Sequence, residues 1–187
     1  MHTSPRSAPC APRRKVIPND NGTPLIAERL KAAWPPYPDL FAGAVLWAIQ
    51  MLVSAMAALY LRNGLTTSHA SDLAIMYFLG ALLAWPFMIP LGRFFAHRRP
   101  LETRFAAFFV VLATGTILMT AFLFAMDYRM FYSRWHAPAG TVTWAFQFVF
   151  TGAAAVYQFA VLGLRLFLPL GLLCLLVTSF ALAKRMR

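Results

Sequence analysis

Formal charges divide this chain into apolar stretches of one recurring length. Between Asp39 and Arg62, Asp72 and Arg93, and Arg104 and Asp127 lie 22, 20 and 22 residues without a charge. A fourth stretch runs from Arg134 to Lys184 and is broken only by Arg165. A hydrocarbon layer about 30 Å thick takes roughly 20 residues of helix at 1.5 Å rise each. Backbone polar groups in lipid must bond internally, which leaves helices or closed barrels, and these runs are too long and unbroken for alternating barrel strands. The pattern predicts an all-α, polytopic integral membrane helical bundle.

The predicted spans are 40–61, 73–92, 105–126, 141–162 and 166–183 within a transmembrane domain of 40–183. Gly43, Ala44, Ser54, Ala55, Ala57 and Ala58 give the first span a face that another helix can approach closely. Arg62-Asn63-Gly64 supplies a helix stop, and Ser71 and Asp72 suit the start of the second span. Pro86 and Pro90 predict a kink or an early end near Trp85. Gly115 and threonines 114, 116 and 120 are the polar or small positions of the third span, suited to back-bonding or helix packing.

Residues 141–183 as one helix would measure about 65 Å, twice the hydrocarbon thickness. Gly163 as a stop and Pro169 as a first-turn residue divide them into two spans with Arg165 at the turn. This gives five crossings. The alternative is four, with 141–162 lying at the outer surface or re-entrant.

Charge orients the bundle. Residues 1–39 form a basic, proline-rich tail with six Lys and Arg, and the 93–104 loop holds four more; the 62–72 loop has one and 127–140 has two. The positive-inside rule therefore places the N-terminus in the cytoplasm, as in a bacterial inner membrane. Five crossings would leave the basic tail 184–187 outside, and four would keep it inside. The first 20 or so residues are expected to be disordered. Thr23-Pro24 begins a candidate interfacial helix over 24–34, with Ile26, Leu30 and Trp34 recurring at helical spacing.

A net charge of +11 would suggest nucleic acid in a soluble protein. Here most bases flank apolar segments, so they report topology and no nucleic-acid partner is expected. Cys10 and Cys174 form no readable disulfide or metal framework.

Candidate chemistry is sparse. Thr143, Gln147, Thr151, Gln158 and Arg165 fall within about 80° on a helical projection, either lining a polar crevice or forming a seam of interhelical hydrogen bonds. Arg93, Arg98, Arg99 and Arg104 are candidate contacts for anionic lipid headgroups. No Asp, Glu or His lies within a predicted span, so neither an intramembrane proton relay nor histidine haem ligation is supported. His69, Asp72 and His136 could meet on the outer face but lack ligand-motif spacing, and no metal or cofactor is expected. Tyr128, Phe131, Tyr132 and Trp135 read as an interfacial aromatic belt.

The expected function is a non-enzymatic accessory or assembly subunit that meets a membrane-protein partner or a second copy of itself within the bilayer. The first alternative is a small transporter or channel subunit built around the 143–165 stripe. The second is a membrane enzyme with an outer-face site.

Overall fold

A computed structural model describes residues 25–62 and 69–186. Expectations for the first 20 residues, for the cap at Thr23-Pro24 and for the stop at Asn63-Gly64 lie outside the described residues. Every regular element among those described is helical: α1 (Leu25–Ala33), α2 (Tyr37–Leu61), α3 (Ala70–Ala96), α4 (Leu101–Tyr132), α5 (Val142–Gln158) and α6 (Leu170–Arg185). A π-helical turn (Phe159–Gly163) and a 3-10 turn (Leu164–Phe167) separate α5 from α6. The Leu168–Pro169 peptide bond that follows is cis.

Among the described residues, four segments are long and apolar enough to cross a membrane: Tyr37–Leu61, Ala70–Ala96, Leu101–Trp135 and Val142–Phe167. Five crossings were expected. At 16 residues, α6 measures about 24 Å, short of a hydrocarbon layer of about 30 Å. Of the kink or early end near Trp85 that its two prolines predicted, the early end does not occur in α3. It runs through both of them to Ala96, with Trp85 and Ile89 buried and Gly92 set against Phe108. A proline deletes one ladder hydrogen bond, and neighbouring helices can hold the segment across that gap.

The core is a seam among α2, α3 and α4. Along α2 the buried positions Ala44, Trp47, Ala48, Met51, Ser54, Ala55 and Ala58 recur at three- and four-residue steps. They include four of the six small residues that the sequence marked as a contact face. Trp47, Ala81, Trp85, Ile89 and Leu112 interlock at its centre. The Trp47 indole N–H donates to Thr116 Oγ1 at 3.0 Å, and Thr120 Oγ1 back-bonds to the Thr116 carbonyl at 2.8 Å.

From Phe148 to Met186 the chain retraces α4 in reverse. The Arg129 guanidinium lies 3.7 Å from the Phe148 ring centre, and Phe159 lies 6.0 Å from Phe124. Leu175 shares a cluster with Leu112, and the Met186 carbonyl accepts from Arg104 at 2.8 Å. Arg129 to Arg104 is about 38 Å of helix. The last part of the chain therefore travels the length of the bundle once, in two helical pieces. The end of α6 lies beside the α3–α4 turn.

That interruption lies inside an apolar bundle, and neighbouring helices bond to it. Two buried hydroxyls reach its carbonyls. The Tyr77 hydroxyl of α3 donates to the Gly163 carbonyl, and Ser54 Oγ of α2 donates to the Leu166 carbonyl at 3.2 Å. Tyr77 also packs its ring 4.8 Å from Phe167. Tyr77→Phe keeps the ring and removes that hydrogen bond, so it should destabilise the protein in detergent by about 1 kcal/mol, with faster amide exchange confined to the break. Unchanged melting and exchange would show that the hydroxyl is not needed.

Close approach of α3 and α4 depends on Gly80, where an added Cβ would come within 2.9 Å of the Thr120 Cα. Gly80→Ala should therefore lower stability by about 1–3 kcal/mol, because two backbones must separate. Gly152 on α5 has nothing within 4 Å of such an atom. Gly152→Ala should leave thermal unfolding in detergent unchanged or slightly improved.

Candidate functional site

The polar stripe expected on one face does not gather into one group. Gln147 and Thr151 both turn to the loop between α4 and α5. The Ala137 N–H donates to Gln147 Oε1 at 2.8 Å, and His136 Nε2 lies 3.2 Å from Thr151 Oγ1. Thr141 caps the same helix by accepting from the Trp144 N–H at 3.1 Å. Thr143 is exposed on the first turn, and Gln158 is half-buried at the other end of α5. Arg165 is exposed in the 3-10 turn, beyond the π turn that changes the helix's angular step.

Most of the arginine cluster ties the chain to itself. Arg93 Nε donates to the Ala32 carbonyl at 3.2 Å, and Arg98 pairs with Glu28 at 3.3 Å, so both hold α1 against the end of α3. Arg104 reaches the Arg99 carbonyl at 2.6 Å as well as that of Met186. Arg98 also adopts a φ of 55°, which turns the chain sharply between α3 and α4. Arg98 and Arg99 are exposed, whereas Arg93 and Arg104 are half-buried.

On the opposite end, His69 lies 3.4 Å from Asp72, both exposed, while His136 bonds Thr151 instead. Among the described residues no group of three His, Cys, Asp or Glu side chains is placed to hold a metal ion. Tyr128, Phe131, Tyr132 and Trp135 form one aromatic patch with ring centres 4.6 to 6.0 Å apart. Phe131 and Trp135 are exposed.

Two cavities lie among the described helices. One, of about 290 Å³, lies between α2, α4 and the α5–α6 break and is walled almost wholly by apolar side chains such as Phe109, Ile117 and Leu172. The other, of about 560 Å³, opens among α2, α3 and α6 and is lined by both charged and apolar groups. Apart from Arg93, sequence reasoning did not single out its charged mouth, nor did it find the roles of the Tyr77 and Ser54 hydroxyls at the break. The signals available were Gln50, Tyr77 and Thr178, polar side chains within otherwise apolar helices. Gln50 and Thr178 are hydrogen-bonded at 3.2 Å across α2 and α6.

No family model, curated protein or solved structure matches this chain.

Gln147 carries a further consequence. Gln147→Leu should accelerate amide exchange at Ala137 about fivefold, equivalent to about 1 kcal/mol, by removing its acceptor. A solute-lining glutamine would instead leave exchange at Ala137 untouched.

Proposed function

We propose that this protein is a non-enzymatic accessory or assembly subunit of a bacterial-type inner membrane, offering α5 to a partner within the bilayer. The observation that carries this reading is how little of α5 the rest of the chain covers. In the most apolar stretch of Val142–Phe167, 11% is buried, against 33–44% in the other three candidate spans. That helix packs on α4 and leaves Phe146, Val149, Phe150, Val156 and Tyr157 exposed. At its middle stands Gly152-Ala153-Ala154, where small side chains admit a second backbone and no atom lies near the Gly152 Cβ position.

In this reading the protein crosses the membrane four times, the last crossing being broken, with both termini in the cytoplasm. The placement of Met186 against Arg104 favours that count over five. Charge favours it too: thirteen of the seventeen Lys and Arg belong to the tail, the 93–104 loop and the C-terminal segment. α1 then lies on the cytoplasmic headgroups, with Ile26, Leu30 and Trp34 exposed along one side. The transporter reading loses support because Gln147 and Thr151 bond the preceding loop. The enzyme reading loses support because His136 bonds Thr151 rather than joining His69 and Asp72.

Photo-crosslinking groups at positions 149, 152 and 156 test the assembly. They should capture a membrane protein or a second copy of this chain in native membranes. Gly152→Phe should reduce that capture at least about tenfold without lowering the melting temperature of the isolated chain. A lone monomer at every concentration, crosslinked only to lipid, would refute the proposal.

A further inference from the structure

The crevice among α2, α3 and α6 is zoned by chemistry. At one end stand Asp39 from the first turn of α2, Arg93 from the last turn of α3 and Arg185 from the last turn of α6. Further in, the walls are mainly apolar, with Leu46, Ile89 and Val177 beside the hydrogen-bonded pair Gln50 and Thr178. The Trp85 indole also lines it; that residue is 6% exposed, and its Nε1 has no hydrogen-bond partner among the described residues. A volume of about 560 Å³ falls in the roughly 300–1,000 Å³ range of small-molecule sites.

We propose that this crevice binds one phospholipid whose headgroup carries both a phosphate and an ammonium group, as in an ethanolamine phospholipid. The charges at the mouth are complementary to that zwitterion. Guanidinium groups suit phosphate oxygens, and a carboxylate suits an ammonium. Side-chain ion pairs among the described residues are His69–Asp72 and Arg98–Glu28, so the three mouth residues are not paired with one another. Arg93 uses its Nε on Ala32, which leaves its two terminal nitrogens for a ligand.

Trp85 marks the depth of the crevice. Trp85 lies eight residues before Arg93, about 12 Å of helix further into the bundle. An indole N–H is a donor only, and leaving it buried and unpaired is unfavourable. That edge of the indole is packed against Gly43 of α2, so Trp85 serves the crevice as an apolar wall and not as a contact for the headgroup. One acyl chain then lies between the walls of α2, α3 and α6. A purely anionic headgroup would leave Asp39 facing negative charge, which separates this site from general attraction to the arginine loop. The proposal goes beyond the assembly reading and needs no protein partner.

The test is native mass spectrometry of the full chain, extracted in mild detergent and exchanged against vesicles of ethanolamine or glycerol phospholipid. The wild type should retain one phospholipid per chain and prefer the ethanolamine headgroup about tenfold. Ala181 is exposed and lines the crevice, so Ala181→Phe should abolish retention while unfolding in lipid-free detergent stays unchanged. Arg185→Gln should weaken both lipids about tenfold, and Asp39→Asn should bring the two headgroups within about twofold. The proposal is overturned by any of three results: no lipid retained at one per chain, a preference for glycerol phospholipid, or variants that retain lipid with wild-type strength and selectivity.

Discussion

The structure depends on satisfying a helix break inside an apolar environment. Between Gln158 and Leu170 the regular i to i+4 ladder gives way to a π turn, a 3-10 turn and a proline. In lipid an unbonded carbonyl has no water to turn to, so irregular backbone survives only where protein groups supply the missing bonds. Tyr77 and Ser54 donate to two carbonyls of the break, each from a different helix and each almost fully buried. The break is thereby fastened to α2 and α3 at once, and Phe167 stacks against Tyr77 beside it. This fixes where α6 begins and, with it, the path of the last third of the chain.

Everything at the far end of the bundle follows from that path. Because α6 descends along α4, Arg185 and Met186 come to the turn between α3 and α4, where Arg104 holds the chain end. Arg93 and Arg98 fasten α1 to the same end. Arginines that look like a simple topology signal are thus also struts, each bonding a carbonyl or carboxylate from another segment. The convergence of α2, α3 and α6 creates the crevice with its charged mouth. At the other end α5 packs on α4 alone among the long helices, and Gln147 and Thr151 bond the loop that precedes it.

Much of the fold was legible in the sequence because lipid penalises charge so steeply. The charge-free runs located α2, α3 and α4, and the helical class followed from their length. Helix ends were less legible. α3 includes Arg93 and α4 includes Glu102 and Arg104, because charges mark the edge of the apolar layer and not the end of hydrogen bonding. Gly163 and Pro169 announced an interruption in the final 43 residues but not the direction of the chain beyond it. Direction is set by contacts such as Tyr77 with Gly163 and Arg104 with Met186, more than 80 residues apart in sequence. The polar stripe was drawn on the assumption of one uninterrupted helix from Thr143 to Arg165. A π turn followed by a 3-10 turn changes the angular step, so Arg165 falls out of phase with Gln147 and Thr151. Arg93 was marked from sequence as a headgroup contact, but its meeting with Asp39, Trp85 and Arg185 was not legible, since these come from three separate helices.

The most direct test is the side of the membrane on which Met186 lies. A single cysteine at that position, with Cys10 and Cys174 replaced by serine, can be probed with a membrane-impermeant maleimide in intact cells and in inverted vesicles. Labelling in inverted vesicles alone, matching a cysteine placed in the 93–104 loop, is the result that one broken final crossing requires. Labelling from outside intact cells would put the chain end opposite that loop and contradict the path described for α6.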